Sequence, residues 1–367
     1  MKKIIKRIGI ALAVLLGILL LIVGGYVLYM TLQYSRIPDN TPLVVENAQT
    51  ATLQADKTYS ALTYNIGFGA YNHDFSFFMD GGTMKDGRAV QGTMGRAQSA
   101  DIVHTNTNGA IAALKENAPD FCLLQEVDTK ATRSFNINQA NEITNALPDY
   151  GHVFASNFHS AYLAYPFNEP HGSVNAGLLT LSRYAASEAV RRSYPVDESF
   201  PTKFFDLDRC FSVLRLPVEN GKELVLINSH MSAYDKGGTV RVRQLALLNS
   251  VLAQEAEKGN YVIVGGDFNH ALCGTETAFA SEQKVPAWVF TLDDADLTDG
   301  YTVVRADNVT AVATCRSTDM PYTAGVNYTS VLDGFIVSSN VKASAENLDL
   351  DFAYSDHNPV LLQFTLS

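Results

Sequence analysis

Polar side chains that could do chemistry recur where apolar runs of the chain begin or end. Each could have a local role, as a turn residue, a buried ion-pair member or a satisfied core histidine. Repetition at the same kind of position favours a shared role, since strand ends in packed sheets converge on one rim. We therefore expect one cleft to contain Asn65, Glu126, His230, Asp267, Asn269, Asp333, Asp356 and His357.

These residue types suit the hydrolysis of a phosphoester. Oxygen ligands such as Asn65, Glu126 and Asp356 suit Mg²⁺, with Mn²⁺ as a substitute, and no cysteine joins them as it would at a zinc site. Histidines next to carboxylates supply groups that transfer protons near neutral pH. A metal ion neutralises the charge that develops on phosphate oxygens, while a base orients the attacking water.

One pair stands at an unusual place, because Asp356 and His357 come just before the apolar run Pro359–Phe364. Burial of either side chain without a partner is costly. The pair is therefore either a salt bridge that closes a loop or part of a site.

Short apolar runs predict the strands that would position these groups. Their length and their content of Val, Ile, Leu and Phe favour strands over helices. Asn220-Gly221 lies between two of the runs and is typical of a hairpin turn. The predicted strands are residues 59–68, 121–128, 177–183, 210–218, 223–231, 261–269, 330–338 and 359–364.

Two helices and one long loop are predicted between these strands. Residues 99–117 end near Pro119, and residues 239–258 carry an apolar stripe that Gly259 follows. Many strands with few helices favour two packed sheets with helices outside, an α/β sandwich. Residues 67–99 have no clear period, so we expect a long loop over one end of the sandwich.

Six motifs resemble a known family in their order along the chain. They are LTYNIG, LLQEVD, NSHM, VGGDFN, LDGFIVS and SDHNP. Together they resemble the endonuclease/exonuclease/phosphatase superfamily, with its DNase I-like fold, over about residues 58–367. The resemblance implies a four-layered α/β/β/α sandwich and a divalent-metal-dependent phosphoesterase.

The same resemblance implies roles for the metal ligands and the acid–base groups. Glu126 is similar to the main metal ligand, with Asn65 and Asp356 beside it. Asp267 resembles the residue that orients or deprotonates the attacking water, and Asn269 its neighbour that holds the phosphate.

Two histidines complete the implied machinery. His357 resembles the histidine that pairs with a second carboxylate, here Asp333, and acts on the phosphate. His230 resembles the second histidine, which stabilises the pentacovalent state or protonates the leaving oxygen. The sequence leaves open how Asp267 and the histidines divide the proton transfers.

Three further side chains are weaker candidates for substrate binding. Asn175 precedes a predicted strand, where family members often place a substrate contact, although a turn residue would also fit. Arg209 and Arg316 could each bind a phosphate oxygen. The other histidines have no motif partner and are expected to be solvated: His73, His104, His152, His159, His171 and His270.

The N-terminus predicts a membrane anchor in residues 1–36, followed by a linker in residues 37–57 and the catalytic domain in residues 58–367. The run Ile8–Met30 is uncharged and almost wholly apolar, and it exceeds the roughly 20 residues that a spanning helix needs. A cleaved signal peptide is the alternative. Basic residues before the run place the N-terminus inside and the catalytic domain outside the cytoplasm, on a single-pass protein of the cell membrane.

Charge bears on the choice of substrate. The first 36 residues hold five basic and no acidic side chains, so the other 22 basic residues face 38 acidic ones, and residues 37–367 carry a formal charge of −16. The global field of such a domain does not attract polyanions, which weakens a nucleic-acid role without excluding it. Cys273 and Cys315 could form a disulfide outside the cell, whereas Cys122 is expected to be a buried thiol.

Three functions are consistent with the sequence. The first is an outward-facing, membrane-anchored phosphodiesterase, nuclease-like or otherwise. The second keeps the chemistry but acts on a lipid headgroup, like a sphingomyelinase, or on a phosphomonoester. The third is a binding module that has kept the fold and lost catalysis. The partners expected are the phosphoester substrate and the membrane, and no protein partner is evident.

Overall fold

Two mixed β-sheets pack face to face in the computed structural model, which describes residues 2–233 and 237–367. Strands are numbered along the chain. Sheet I has seven strands in the spatial order β1 (Thr41–Pro42), β8 (Glu188–Ser193), β9 (Cys210–Pro217), β10 (Glu223–His230), β11 (Tyr261–Asp267), β17 (Asp333–Ser338) and β14 (Tyr301–Val303).

Sheet II has six strands. Their spatial order is β18 (Val341–Asn347), β19 (Val360–Leu366), β2 (Thr58–Asn65), β5 (Phe121–Asp128), β7 (Asn175–Ser182) and β6 (Gly151–His159). Three short ribbons lie outside the sheets: β3 (Gly81–Thr83) with β4 (Ala89–Gln91), β12 (Ala271–Leu272) with β13 (Thr291–Leu292), and β15 (Cys315–Arg316) with β16 (Thr329–Ser330).

In residues 2–233 and 237–367, four α-helices accompany the sheets. They are α1 (Lys2–Gln33), α2 (Ala100–Asn117), α3 (Gln139–Ala146) and α4 (Thr239–Lys258). Helices α2 and α3 bury Ile111, Leu114 and Ile143 against sheet II, while α4 buries Leu248 and Leu252 against sheet I. The layers are therefore α/β/β/α, as the resemblance implied.

The main core fills the space between the sheets. Phe121 and Leu123 of sheet II meet Leu226 and Ile263 of sheet I, and all four side chains are fully buried. Burial of each such side chain contributes about 1.5–3 kcal/mol. This core holds the two sheets in register, so that the ends of their strands keep fixed positions.

Each sheet contains one parallel pair, and each pair is joined through a helix. Strands β2 and β5 are parallel with α2 between them in the chain, and β10 and β11 are parallel with α4 between them. The other neighbours are antiparallel. Parallel strands end at the same edge of a sheet, which places the ends of β2 and β5 together and the ends of β10 and β11 together.

The structure confirms the predicted strands, with small differences at their ends, and both predicted helices. It adds elements that the pattern analysis missed. Strand β6 alternates buried and partly exposed residues, β18 has few large apolar residues, and α3 has only two turns. The strand β8 at residues 188–193 was also missed; it pairs the short edge strand β1 with β9.

The segment 67–99 is irregular, as predicted, but it is well packed. Phe68, Phe75 and Phe77 lie in a buried cluster near the ends of the strands. The chain enters this segment through Gly67, which has a φ of +52°, and a Cβ there would lie 2.6 Å from Tyr71 and 2.9 Å from Asp356. Only glycine fits this position.

The predicted linker is packed against the rest of the protein, and the possible disulfide is not formed. Residues of the linker pack on the domain: β1 pairs with β8, and Leu53 is fully buried. Cys273 and Cys315 are free thiols, as are Cys122 and Cys210, and Cys122 is buried as expected.

Candidate active site

The strand ends that carry the predicted side chains meet at one edge of the sandwich. His230 ends β10 directly opposite Asp267, which ends β11, and Asp267 in turn pairs with Asp333 at the start of β17. Asn65 ends β2 in the other sheet. Since β19 runs antiparallel to β2, the residues just before β19 reach the same edge, and they include His357.

A carboxylate–histidine pair lies at the centre of this edge. Asp333 Oδ2 lies 2.7 Å from His357 Nδ1, and both side chains are buried. Burial opposes the charged imidazolium, but Asp333 and Asp267 outweigh it and raise the pKa of His357 well above 6.5. The bond to Nδ1 fixes the ring so that its other nitrogen, Nε2, points to the rest of the site.

Asp267 contacts more of the predicted site residues than its neighbours do, because it lies between Asn65 and the two histidines. Its Oδ2 lies 3.1 Å from Asn65 Nδ2, 3.5 Å from His230 Nε2 and 3.7 Å from His357 Nε2. Its Oδ1 accepts a 2.8 Å hydrogen bond from the backbone N–H of Asn269. One buried carboxylate thus contacts both histidines and an amide, which is the arrangement expected of a group that positions a water molecule.

His230 is buried with one nitrogen unused. Burial lowers its pKa well below 6.5, and the nearby Arg209 adds to this effect. Its Nδ1 has no hydrogen-bond partner among the described residues, while Nε2 faces Asp267 and Glu126. The neutral ring is suited to donating a hydrogen bond rather than carrying charge.

Glu126 reaches the site through an irregularity in β5. Its φ is +53°, and the register between β5 and β7 shifts between Leu124 and Val127. In a regular strand the side chains of Gln125 and Glu126 would point to opposite faces. The bulge instead lets Gln125 bond Asn228 inside the core at 2.8 Å, while Glu126 approaches Asn65 and His230.

The donor set of Glu126, Asn65 and Asp356 fits a hard divalent cation. Asn65 Nδ2 and His230 Nε2 lie 3.5 Å and 3.9 Å from Glu126 Oε1, too far for strong hydrogen bonds. Burial raises the pKa of Glu126, Arg133 lowers it, and Asp356 raises it again. Two carboxylates that repel each other at a cavity wall suit a shared cation, and oxygen donors suit Mg²⁺.

A second group of potential ligands is better explained without a metal. Ligand atoms of Asp267, Asp333 and His357 lie within 4.8 Å of one another. However, His357 Nδ1 and Asp333 Oδ2 already bond each other at 2.7 Å. These two ligand atoms are therefore already paired with each other, although Asp333 Oδ1 has no hydrogen-bond partner among the described residues, and the cation is better placed at Glu126.

A cavity of about 470 Å³ opens over these groups. Its floor includes Glu126, His230, Asp267, Asp356 and His357. Its walls are mostly aromatic and apolar, and they come from loops around residues 68–81, 158–171, 201–209 and 286–288. The volume lies in the range of ligand pockets, which combine an apolar wall with a few convergent polar groups.

The structure separates the three weaker candidates. Arg209 is buried in the cavity wall, and its Nε and Nη1 have no hydrogen-bond partner among the described residues, although Nε lies 4.0 Å from Asp206 Oδ1 in a long ion pair. Arg316 also lines the cavity, and its Nε has no hydrogen-bond partner among the described residues, but its Nη2 donates to the carbonyls of Tyr71 and Asn72 at 3.4 and 3.0 Å. Asn175 is exposed, lies outside the cavity wall, and donates to Lys130 O at 3.4 Å.

Some site residues had no motif to reveal them. Arg133 lies buried in the cavity wall, with Nη2 2.9 Å from Asp128 Oδ1 and its guanidinium over the Phe68 ring at 3.8 Å. The expectation of solvated histidines is wrong for His171 and His270, which are buried; His171 Nδ1 bonds Gly95 O, and His270 Nδ1 bonds Phe268 O.

Comparisons with known proteins agree with this geometry. The sequence profile of the Endonuclease/Exonuclease/phosphatase family matches residues 62–357. No curated protein matches the chain.

Solved structures share the fold at low sequence identity. A Beutenbergia cavernae endonuclease/exonuclease/phosphatase is 15% identical, covers 85% of this chain and 72% of its own, and has a TM-score of 0.57. The corresponding Leptotrichia buccalis family protein is 14% identical, covers 83% and 99%, and scores 0.52. D. rerio TDP2, solved with a single-strand DNA product, is 15% identical, covers 84% and 100%, and scores 0.51.

Members of this family are generally phosphoester hydrolases. The profile match spans most of the chain and includes every group on the floor of the cavity. The chain is therefore a member of the endonuclease/exonuclease/phosphatase family.

Proposed function

We propose that the protein is an outward-facing, membrane-anchored phosphodiesterase that depends on a divalent metal ion. The observation that carries this proposal is the Asp333–His357 pair, whose free nitrogen faces Asp267 and the cavity. Around it lie the groups that water attack on phosphorus requires. Every motif side chain that catalysis would need is present, which favours an enzyme over a binding module that has lost catalysis.

The residues of the chain would share the reaction as follows. Asp267 accepts a proton from the attacking water and orients it toward phosphorus. The His357 imidazolium, held by Asp333, donates from Nε2 to a phosphate oxygen. The neutral His230 donates a hydrogen bond from Nε2 to the leaving oxygen, and this oxygen takes its proton from solvent water as the P–O ester bond breaks. Buried histidines and carboxylates in hydrogen-bond reach are the usual general acids and bases.

The metal ion, held by Glu126, Asn65 and Asp356, would neutralise charge on the phosphate oxygens. Arg209 supplies a further cation from the cavity wall. A buried guanidinium with unused donors is costly, and a phosphate oxygen is the group that suits it best.

Asn269 follows Asp267 by two residues at the end of β11. Its side chain donates a hydrogen bond to Met231 O at 2.9 Å, which anchors the loop after β11.

The basic residues in the first two turns of α1, which precede its apolar part, support the proposed orientation. Helix α1 is long and apolar enough to cross a membrane. Positive charge at its N-terminus favours retention of that end in the cytoplasm.

The test uses the full chain in detergent micelles with bis(p-nitrophenyl) phosphate, single-stranded DNA and a phosphomonoester as parallel substrates. We expect hydrolysis of a diester that stops on chelation and returns with Mg²⁺. His357→Ala should reduce turnover by about 10²–10⁴-fold, because it removes the donor to phosphate while the strand behind it stays packed.

His104→Ala is the matched control, since His104 is an exposed histidine on α2 and should leave turnover unchanged. Near-normal turnover in the folded His357→Ala protein would exclude the proposed mechanism. Hydrolysis of only the phosphomonoester would make the protein a phosphatase instead.

A further inference from the structure

The outer end of α1 is bonded to a loop that forms part of the cavity wall. Tyr26 Oη donates to the carbonyl of Tyr162 at 3.0 Å and accepts from the N–H of Ala164 at 3.1 Å. Tyr29 Oη accepts from the N–H of Tyr162 at 3.1 Å. The same loop contributes Leu163 to the wall of the cavity.

A second loop of the cavity wall holds the chain just after α1. Arg36 Nη2 lies 2.9 Å from Asp208 Oδ1, and Arg36 Nη1 lies 2.9 Å from Glu198 Oε1. The rings of Tyr34 and Phe204 meet edge to face at 5.9 Å. The anchor and the catalytic domain are therefore joined by specific contacts on the side where both loops line the cavity.

The position of Tyr26 along α1 sets the depth of these loops. It lies inside the apolar run Ile8–Met30, about four residues or roughly 6 Å from the outer end of that run. A loop that bonds Tyr26 must then lie at the level of the lipid headgroups. Tyrosines are enriched at this level because they combine an apolar ring with a polar tip.

Exposed aromatic side chains lie on these two loops, which contact the end of α1 and the chain just after it. We define the aromatic rim as Tyr162, Tyr165, Phe167, Phe200 and Phe205. Phe167 is 84% exposed and Phe200 is 65% exposed, which is unusual for a soluble surface. Tyr165 and Phe205 also line the cavity, so the rim and the cavity mouth are continuous.

We infer that the aromatic rim rests on the bilayer that holds α1, and that the site takes a phosphodiester carried by a lipid of that bilayer. This inference rests on the proposed function. The rim would bring the apolar wall of the cavity against the acyl region. The acidic residues Glu126, Asp267 and Asp356 would hold the cation and the attacking water at the headgroup phosphate. Hydrolysis would join water to phosphorus and release the alcohol from the other side.

A fluorescence measurement tests the membrane contact without any substrate. Trp288 is the single tryptophan of the chain, so a Trp288→Phe background allows one new tryptophan to be placed at Phe167. We expect brominated phosphatidylcholine vesicles to quench Phe167→Trp strongly. Val242→Trp, at an exposed site on α4, is the control and should not be quenched. Equal quenching at both sites, or none at Phe167, would overturn the contact.

A hydrolysis measurement tests the substrate class. The full chain is reconstituted in phosphatidylcholine vesicles that contain phosphatidylethanolamine, phosphatidylglycerol and sphingomyelin, and the soluble diester bis(p-nitrophenyl) phosphate is assayed in parallel. Phe167→Ser with Phe200→Ser should lower lipid hydrolysis by about fivefold or more, since two aromatic groups leave the interface. The double variant should hydrolyse the soluble diester at the wild-type rate. The control Val242→Ser should leave both lipid hydrolysis and hydrolysis of the soluble diester unchanged.

The outcomes separate the two proposals. Hydrolysis of the soluble diester without any lipid hydrolysis overturns the lipid inference and leaves the phosphodiesterase proposal intact. Equal losses on both substrates in the double variant also overturn it, since the rim would then act on the cavity rather than the membrane. Failure of the wild type on every diester, including DNA, overturns the proposed function itself.

Discussion

At the residue scale, the site concentrates features that are unfavourable for stability alone. Glu126 has a positive φ and lies where the register between β5 and β7 is interrupted. Burial is the largest cause of the raised pKa of its carboxylate. Asp333 shows the same conflict, since burial raises its pKa to about 7 against the opposing effect of His357. Such conflicts collect at functional sites, where the surrounding fold maintains them. The core between the sheets is what maintains them here.

Replacement of Glu126 by Gln should separate stability from function. The change removes a partly buried negative charge near Asp356, so we expect a higher melting temperature in the presence of chelator. The metal concentration needed for activity should rise at least tenfold, since even indirect metal contacts contribute about 10–100-fold in affinity. Thermal unfolding with and without Mg²⁺, together with a metal titration of activity, measures both effects.

Mg²⁺ should also raise the melting temperature of the wild type, because a ligand of the folded state stabilises it. Glu142→Gln is the control: Glu142 is a partly exposed carboxylate on α3 that lies outside the cavity wall, so the substitution should leave the metal response unchanged. A metal requirement that stays the same in Glu126→Gln would show that Glu126 is not the main ligand.

At the element scale, α4 must stay fixed on sheet I because it connects the two strands that end in His230 and Asp267. Glu255, buried on α4, lies 2.6 Å from Arg215 Nη2 of β9 and 2.8 Å from Lys258 Nζ. Asn260 Nδ2 donates to the same carboxylate at 2.8 Å. This network ties the end of the helix to the sheet at the edge opposite the site.

Glu255 should make stability depend on pH in the acid range. Burial alone would raise its pKa, but hydrogen bonds from Arg215, Lys258 and Asn260 outweigh burial and lower the pKa from 4.5 to about 2. A lowered pKa stabilises the fold above the unfolded value, and this contribution is lost as the pH falls from about 4.5 toward 2. Solvent screening reduces the contribution of a carboxylate that is only partly desolvated, so Glu255→Gln should lower the free energy of unfolding by about 2 kcal/mol at pH 7. The stability of the variant should also depend less on pH in that window.

Urea unfolding of the wild type and Glu255→Gln at several pH values between 7 and 3 measures this difference. Glu257→Gln, at an exposed position on the same helix, should match the wild type throughout. An equal difference between wild type and Glu255→Gln at pH 7 and at pH 3 would contradict the assignment.

At the scale of the whole molecule, the net negative charge disfavours a long nucleic acid, whereas the cavity offers cationic groups to a single phosphate. Residues 37–367 carry a formal charge of −16, whereas proteins that bind nucleic acid gain affinity from basic surfaces. The cationic groups Arg133 and Arg209 are confined to the cavity wall and buried. A single phosphate can reach them, but a long polyanion would also be repelled by the net negative charge of residues 37–367.

Cleavage of DNA should therefore respond to salt in an unusual direction. Where Lys and Arg contact many phosphates, raising salt from 50 to 200 mM weakens binding by about 10³-fold or more. For this protein we expect the KM for single-stranded DNA to fall or stay constant over that range, because salt screens repulsion between the domain and the strand. A steep rise in KM would indicate a basic binding track and would favour a nuclease.

Much of the fold was predictable because its signals are local. Runs such as YVIVGG and ELVLIN are apolar over lengths that suit buried strands, and the structure places them at the centre of sheet I as β11 and β10. The missed strand β6 lies at an edge, where polar residues alternate with apolar ones. An edge strand buries less surface, and its pattern is correspondingly weaker.

By itself, the sequence determined which side chains stand at the strand ends, because apolar runs and the polar groups that interrupt them are local features. It also determined the apolar helix near the N-terminus and the net negative charge of residues 37–367. Only the tertiary structure decided that Arg209 points into the cavity with unused donors and that Asn175 stays outside. It alone joined Tyr26 to Tyr162, which are 136 residues apart. Contacts between irregular loops follow from packing over the whole chain and leave no periodic signal in the sequence.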